Sequence, residues 1–226
     1  MVCQCEFCDL KMLFFNCIGD DEVEKYCESR TETPFKEGAQ IIVQGEPISE
    51  FLYLKEGLVK LFRTNENGEE QIISIGKPYD FVSILSVFST DRYNYSVTAL
   101  SPSVICSFKL SQITDLIRSN GLFALNLIQT LTKSSDRIII NTMGLLQKRL
   151  YGRLAYLLLY FADEVFHKDE YELPLSRKEI SQYIGMTQEN VIRAISSLRK
   201  DGTIKVFGKL ISIEDKVRLK RMNELS

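Results

Sequence analysis

The sequence lacks the features that mark membrane-spanning and secreted proteins. Its longest apolar run, Leu154 to Phe161, is much shorter than the roughly 18–20 residues that a helix needs to cross a bilayer. No basic region followed by an apolar stretch stands at the N-terminus, so we see no signal peptide. These absences predict a cytoplasmic protein that has no membrane partner, and 226 residues suffice for two domains.

Residues for common catalytic chemistry are also scarce. The one histidine, His167, lies in a polar stretch beside Lys168, where a solvated side chain is the simplest interpretation. We find no glycine-rich phosphate loop, no histidine pair at a metal-ligand spacing and no nucleophile elbow. The sequence therefore predicts a protein that is not an enzyme.

Charge is divided unevenly along the chain. Residues 148–226 carry 15 Lys and Arg against 11 Asp and Glu, a net charge of +4. The remainder carries 13 against 19, a net charge of −6, which gives the whole chain its −2. This division is typical of a chain that brings only its C-terminal part near phosphate, although an excess of four charges is modest.

Residues from about 30 to 110 have the pattern of a small all-β domain. Short apolar runs alternate with glycine and proline turns, and Asn67-Gly68 is a strong hairpin signal. Many short strands with regular turns predict a sandwich or a barrel. The predicted strands are Gln40–Val43, Phe51–Leu54, Val59–Phe62, Gln71–Ile75, Val97–Leu100 and Val104–Phe108.

A heptad pattern follows the predicted barrel. Its members alternate in spacings of four and three: Leu127, Leu131, Ser134, Ile138, Asn141 and Leu145. Such a pattern is typical of a helix that pairs with a second helix, and the polar members could fix the register. We expect dimerisation through Leu127, Leu131, Ile138 and Leu145; the alternative is a helix that packs on its own barrel.

The C-terminal part predicts a winged helix-turn-helix, preceded by an apolar core helix of about residues 146–166. Ser176 and Glu179 have the spacing of a capping box, and Gly185 supplies a tight turn. Thr187 can cap a second helix that ends near Lys200. Two short strands, residues 203–207 and 210–213, then form the wing.

The second helix of this module has the properties of a recognition helix. Arg193 can donate to N7 and O6 of guanine, and Glu189 can accept from cytosine or orient the Arg193 guanidinium. Ile192 can contact a thymine methyl group. The full predicted DNA-binding set is Ser176, Thr187, Gln188, Glu189, Ile192 and Arg193. The alternative, an ordinary solvated face, is disfavoured because the cap, turn, second helix and wing occur in order.

The sequence resembles the Crp/Fnr regulators over nearly its full length. The stretch Ile180-Ser-Gln-Tyr-Ile-Gly-Met-Thr-Gln-Glu-Asn-Val-Ile-Arg193 is similar to the family's recognition signature. The stretches Phe35-Lys-Glu-Gly38, Gly45-Glu46 and Leu54-Lys-Glu-Gly57 are similar to its barrel signature. The resemblance implies an α+β fold with a cyclic-nucleotide-binding-like jelly-roll barrel (1–120), a dimerisation helix (121–145) and a winged helix-turn-helix (146–226).

The same resemblance implies partners. A homodimeric regulator would bind a two-fold symmetric site on double-stranded DNA and would contact RNA polymerase. A different class, a cyclic-nucleotide-type signalling module that does not bind DNA, would share the barrel but would not need the helix-turn-helix.

The family's cyclic AMP cassette is altered in this chain. Ser83-Ile84 stands at its Gly-Glu pair, and Tyr95 replaces its arginine. Ile84 cannot accept from a ribose hydroxyl, and Tyr95 cannot neutralise a phosphate, so we predict weak or no cyclic AMP binding. An unknown small molecule could still occupy the barrel near Phe81, Ser83, Ile84 and Ser96.

The cysteines resemble those of the oxygen-sensing FNR proteins. Cys5, Cys8 and Cys17 are similar to the N-terminal ligand set of their [4Fe–4S] cluster, and Cys106 is similar to its barrel ligand. The spacing from Cys8 to Cys17 is longer than in the FNR pattern, and Cys3 could substitute for a ligand. A zinc site and cysteines without metal are the alternatives.

Overall fold

The computed structural model describes residues 17–19, 26 and 28–225 and divides them into two compact units. The first contains the described residues up to Thr64 together with Ile75–Arg137, and the second contains Asn65–Ser74 and the residues from Ile138 onward. Strands dominate the first unit and helices the second, so the predicted α+β class is confirmed.

Seven strands form the barrel, and all six predicted strands are among them. The bounds are β1 (Thr31–Phe35), β2 (Gln40–Ile42), β3 (Glu50–Glu56), β4 (Val59–Thr64), β5 (Glu70–Gly76), β6 (Ser96–Ala99) and β7 (Ser103–Lys109). They form two sheets with the orders β1-β7-β3 and β2-β6-β4-β5, and the pairs β1–β7, β3–β7, β2–β6 and β4–β6 are antiparallel. The first unit contains these strands except the residues of β5 up to Ser74.

The turns between strands have local causes. In the β4–β5 turn, the Asn65 side-chain oxygen accepts from the backbone N–H groups of Asn67 and Glu69, and Gly68 has a φ of 78°. Gly57, between β3 and β4, has a φ of 91°, and a Cβ there would lie 2.5 Å from the Pro102 carbonyl oxygen. Only glycine fits both the backbone angle and the space at position 57.

Among the described residues, 26, 28 and 29 are helical, and three further helices lie in the first unit or begin in it. They are α1 (Ile84–Val87), α2 (Leu110–Ser119) and the long α3 (Gly121–Gln147). Aromatic side chains of β3 and β7 pack against Phe123 and Leu127 of α3 in one buried cluster. The barrel core therefore includes the first turns of the long helix.

The structure corrects the predicted dimer face of α3. Leu127 is only 5% exposed and belongs to the barrel core, and Leu131 packs against the same cluster. Leu145 is buried within the chain as well, and Ile138 is partly buried. The residues of the predicted heptad therefore lie largely on the inner face of α3. The helix also carries a second apolar stripe, and residue spacing alone does not show which of the two stripes faces the barrel.

That second stripe is exposed. Its apolar members, here called the outer stripe, are Leu122, Leu125, Ile128, Ile139, Ile140, Met143 and Leu146. Exposed polar residues, among them Thr132 and Asp136, continue it through the middle of the helix.

The second unit consists of short helices and a small sheet. The elements are α4 (Leu150–Tyr160), the π-helical turn (Phe161–Val165), β8 (Glu170–Glu172), α5 (Arg177–Ile184), α6 (Gln188–Lys200), β9 (Ile204–Phe207), β10 (Leu210–Ile213) and α7 (Lys216–Leu225). Helix α4 and its π-helical last turn cover most of the helix predicted over about residues 146–166. The antiparallel sheet has the order β8-β10-β9.

None of the helices in the described part of the chain combines the length and the apolar character that crossing a membrane requires.

Candidate nucleic-acid interface

Helix α5 begins at the capping box that the sequence predicts. The Ser176 hydroxyl accepts from the Glu179 backbone N–H at 3.2 Å, and the Glu179 carboxylate accepts from the Ser176 backbone N–H at 2.9 Å. These bonds satisfy N–H groups that a helix N-terminus leaves unpaired. The Ser176 side chain is thus engaged in the cap, and a phosphate contact at this exposed residue stays a prediction.

The turn after α5 depends on Gly185 and on an arginine from another helix. Gly185 has a left-handed φ of 64°, which ends α5. The Arg153 Nη1 donates to the carbonyl oxygens of Ile184 at 2.9 Å and Gly185 at 3.3 Å, and its Nε donates to the Lys148 carbonyl at 2.7 Å. Sequence reasoning missed Arg153, because its partners are backbone oxygens that leave no signal in the sequence.

Helix α6 has a capped N-terminus and two distinct faces. The Thr187 hydroxyl accepts from the Asn190 backbone N–H at 3.2 Å, so Thr187 is the predicted cap. Val191, Ile195 and Leu198 are buried, as their spacing predicts. The opposite face is exposed and consists of Gln188, Glu189, Ile192, Arg193 and Ser196.

Arg193 and Glu189, the charged residues on the exposed face, form an ion pair. Arg193 Nη2 lies 3.3 Å from the Glu189 carboxylate and donates to the Asn190 side-chain oxygen, also at 3.3 Å. Both charged side chains are more than two-thirds exposed, so the pair contributes only a few tenths of a kcal/mol to the helix. Its main consequence is to orient an arginine that remains open to a ligand. Asn190, which sequence reasoning missed, adds a second restraint.

The wing follows α6 directly. Strands β9 and β10 pair through a two-residue turn, Gly208-Lys209, where Gly208 has a φ of 62°. The third strand, β8, pairs with β10, and the Leu173 N–H donates to the Lys209 carbonyl at 2.9 Å. The structure thus assembles a capped helix, a tight turn, a second helix and a hairpin, the elements of a winged helix-turn-helix.

Two of the four predicted metal-ligating cysteines fall within the described residues. Cys106 on β7 is fully buried in the barrel core, and burial raises the pKa of its thiol to about 11. Cys17 packs against the same core cluster; its Sγ lies 3.3 Å from Asn126 Nδ2, and its carbonyl accepts from Asn120 Nδ2 at 2.9 Å. Both asparagines lie at the start of α3, so Cys17 is attached to the beginning of the long helix.

Cys5 and Cys8, like Cys3, lie outside the described residues. Among the residues that are described, no three His, Cys, Asp or Glu side chains are grouped so as to hold a metal ion.

The structure also corrects the predicted effector residues. Ser83 is fully buried, and its hydroxyl accepts from the Leu52 N–H at 2.8 Å; Ile84 belongs to the barrel core. The Ser96 hydroxyl accepts from the Gln44 N–H at 2.9 Å. Ser83 and Ile84 therefore complete the fold and do not line an accessible cavity. Phe81 is partly exposed and stacks near Phe51, with 4.9 Å between the ring centroids.

Tyr95, at the position of the family's arginine, is also part of the interior. Its hydroxyl donates to the Val82 carbonyl at 2.9 Å, and burial raises the pKa of Tyr95 above its usual range. The tyrosine remains neutral at physiological pH and offers no charge to a phosphate.

Two family models match the chain. A cyclic nucleotide-binding domain matches residues 32–120, and a Crp-like helix-turn-helix domain matches residues 152–222. The first range covers both sheets and α2, and the second covers the capped helices and the wing described above.

Curated relatives match across both ranges. The transcriptional activator protein anr of Pseudomonas aeruginosa is 25% identical over 82% of this chain and 78% of its own length. The fumarate and nitrate reduction regulatory protein of Escherichia coli K12 is 23% identical over 86% of this chain and 78% of its own length. The named relatives are regulators and not enzymes, which supports the prediction that the chain is not an enzyme.

Solved structures share the fold. FixK2 from Bradyrhizobium japonicum has a TM-score of 0.78 at 22% identity, and the match covers 87% of this chain and 98% of that one. A Crp/Fnr-type regulator from Eubacterium rectale has a TM-score of 0.77 at 15% identity, and the match covers 93% and 97% of the two chains. The predicted architecture of a barrel, a long helix and a winged helix-turn-helix is thereby confirmed.

Proposed function

The chain belongs to the Crp/Fnr family of DNA-binding transcription regulators, and from this premise we propose that it acts as a homodimer on a two-fold symmetric DNA site and responds to oxygen or redox state through its cysteines. Contact with RNA polymerase and a cytoplasmic location are parts of the same proposal. The observation that carries the DNA part is the exposed face of α6.

Three properties of that face support recognition of specific bases. It is positioned by local caps at Ser176 and Thr187, so its orientation does not depend on the ligand. It presents Arg193 beside Glu189 for a guanine–cytosine pair. It also presents Ile192, nearly half exposed, to which a thymine methyl group would be complementary.

Selection of DNA from a random library by the full-length protein tests this proposal. We expect enriched sites that contain two inverted half-sites about one helical turn apart, bound by two chains per duplex. The absence of any enriched sequence, with protein prepared both without and with oxygen, would favour the signalling module that does not bind DNA.

The outer stripe of α3 supports the homodimer. Ile128 and Ile139 are each more than half exposed, and such apolar residues recur along one side of a 27-residue helix. Exposed apolar groups at both ends of one helix side are unusual on a chain that remains monomeric, even with the polar residues between them. A second copy of the same helix, related by a two-fold axis, would cover these groups with matching residues.

Ile139→Glu tests the homodimer. Two like charges would meet in the interface, and we expect dimer dissociation to become at least about 100-fold easier, measured by analytical ultracentrifugation. Ser111→Glu, an exposed site on α2, is the matched control. If Ile139→Glu dimerises like the wild type, the outer stripe is not the interface.

The position of Cys17 supports the redox part of the proposal. Cys106 belongs to the barrel core cluster, and Cys17 packs against the same cluster and bonds to the asparagines at the start of α3. These two cysteines would supply two thiolate ligands, with Cys5 and Cys8 as the others. A [4Fe–4S] cluster, when bound, would supply redox chemistry that is sensitive to oxygen. Because the Cys106 thiol is protonated at neutral pH without a metal, loading would release its proton.

Anaerobic purification with iron and sulfide analysis tests the cluster. We expect about four irons and four sulfides per chain, and loss of most of the iron in Cys17→Ser and Cys106→Ser. Cys27→Ser, outside the proposed ligand set, is the matched control and is expected to retain the iron. A colourless, iron-free anaerobic protein would leave regulation by an unknown small molecule as the alternative.

A further inference from the structure

Asn190 is a polar residue in the first turn of α6 whose side chain plays no part in the cap of the helix. The cap uses the backbone N–H of Asn190, which donates to the Thr187 hydroxyl at 3.2 Å. Among the described residues, the Asn190 side chain has one partner, because its Oδ1 accepts from Arg193 Nη2 at 3.3 Å. A role for this side chain therefore concerns Arg193 or a ligand.

The chemistry of the two groups fixes the orientation of the Asn190 amide. A guanidinium carries only N–H donors, whereas an amide carries one oxygen acceptor and one NH2 donor group. The atom that faces Arg193 must be the oxygen, because two donor groups would repel each other. Nδ2 of Asn190 therefore faces away from Arg193, and its two hydrogens have no partner in the part of the chain that the structure describes.

The position of Asn190 on α6 places this donor beside the residues already assigned to DNA. Arg193 follows Asn190 by three residues and Glu189 by four, so Asn190 and Glu189 flank the arginine on opposite sides at the helix surface. Asn190 is also the third residue of α6, and the N-terminal residues of a recognition helix contact base edges. The open donor thus lies at the end of the helix that meets the bases.

We propose that Asn190 is a specificity-determining residue that reads a keto base, guanine or thymine, next to the guanine that Arg193 contacts. This inference rests on the proposed DNA-binding function and deepens it. In the major groove, guanine presents N7 and O6 and thymine presents O4, and all three atoms accept hydrogen bonds. Cytosine presents an N4 amino donor there, which the Nδ2 group of Asn190 would oppose.

Adenine is the base that asparagine ordinarily selects, and the contact with Arg193 works against it. The usual bidentate contact uses the amide oxygen for adenine N6 and the amide nitrogen for adenine N7. The Asn190 oxygen is directed at Arg193 and already accepts from a charged group, so it is a poorer acceptor for the N6 amino group. The arginine therefore favours a keto base over adenine as the partner of Asn190.

Binding competition with substituted duplexes tests the inference. The probe is a duplex that the wild-type protein has selected from a random library, and each position of the half-site is replaced in turn by the other three base pairs. Arg193→Ala identifies the guanine that Arg193 reads. At the neighbouring position we expect the wild type to prefer guanine or thymine, and Asn190→Ala to lose about three- to tenfold of this preference, the effect of one hydrogen bond.

Asn190→Asp adds a change of specificity as a second result. The aspartate retains an oxygen that accepts from Arg193, but it replaces the NH2 donor by a second acceptor. We therefore expect the preferred base to change from a keto base to a base with an amino group, cytosine or adenine. The added negative charge weakens binding to every duplex, so the result is the ratio between duplexes and not the affinity itself.

Two controls accompany these variants. Ser197→Ala, about two helical turns further along the same side of α6, should keep the wild-type preference at every position. Both Asn190 variants should unfold at or above the wild-type temperature, because they retain the backbone N–H that bonds to Thr187.

Three results would overturn the inference. Unchanged base preferences in both Asn190 variants would mean that the residue only restrains Arg193. A uniform loss across all duplexes in Asn190→Ala would indicate a phosphate contact. A wild-type preference for adenine that Asn190→Ala removes would mean that the amide oxygen turns from Arg193 to the DNA. Failure of the wild-type protein to select any DNA would instead count against the proposed function itself, so the two kinds of failure are distinguishable.

Discussion

The two units of this protein use polar side chains in opposite ways. In the helix-turn-helix unit, the side chains of Arg193 and Glu189 are exposed to solvent and form an ion pair with each other. In the barrel unit, Ser83 and Tyr95 lie at the positions of a ligand cassette, yet both bond to the barrel's own backbone. The difference shows that a polar residue at a family's functional position is informative only when its partners are known.

The comparison also applies to apolar residues on α3. Leu127 belongs to the barrel core, whereas its neighbour Ile128 is 59% exposed. Substitutions in both units distinguish side chains that complete the fold from side chains that remain open to a ligand.

Leu127→Ala should have the largest effect of these substitutions, and the effect should be on the stability of the fold alone. Removing a buried leucine costs about 2–5 kcal/mol of unfolding free energy, through lost burial and the cavity that remains. Urea unfolding in the Ile139→Glu background measures this cost without a contribution from dimerisation. Ile128→Ala, the control, should have little effect there; a larger loss in Ile128→Ala than in Leu127→Ala would reverse the assignment of the two faces.

Arg193→Ala should act on recognition and leave the fold intact. We expect a loss of about 1–3 kcal/mol of discrimination at one guanine in each half-site, measured by competition with duplexes substituted at each position. Unfolding should change by no more than about 0.5 kcal/mol because the side chain is exposed. A loss that is uniform across sequences would instead indicate a phosphate contact.

Ser83→Ala is the counterpart in the barrel. The Leu52 N–H would lose its partner in a buried site, and we expect a loss of about 1–3 kcal/mol in unfolding free energy. The DNA affinity of the folded protein should not change. If Ser83→Ala keeps its stability but DNA binding no longer responds to the signal, the structural role assigned to Ser83 is wrong, because Ser83 would then contact an effector.

Thr187→Ala should have the smallest effect, about 1 kcal/mol in unfolding free energy, because it removes the cap of α6. Thr187→Ser retains the hydroxyl and should restore stability. DNA affinity measured on both variants adds a second result: a loss in Thr187→Ala well beyond its stability cost would establish the predicted contact of Thr187 with DNA.

The helix-turn-helix was predictable because its causes are local. Ser176 and Glu179 are three residues apart, Gly185 marks the turn, and Thr187 caps the next helix. Each signal acts over one turn of helix, so the sequence displays it directly.

The rest of the site depends on contacts between distant segments. Periodicity showed that α3 has an apolar face, but it could not show that Leu127 meets the barrel while Ile128 does not. Ser83 bonds to a backbone group 31 residues away, and Arg153 bonds to carbonyls 31 and 32 residues away. Backbone partners carry no side-chain identity, so these contacts cannot be recognised from residue types.

The Arg153 contacts have a mechanical consequence. One planar guanidinium spans the carbonyl of Lys148, directly after α3, and the two carbonyls at the α5–α6 turn. Because the plane of the group fixes twist as well as distance, the turn cannot rotate against that segment without breaking at least one of three hydrogen bonds. A rotation of the backbone at Lys148 is therefore transmitted to the start of the recognition helix. Arg153→Lys would remove the planar group and would allow the turn to rotate independently of Lys148.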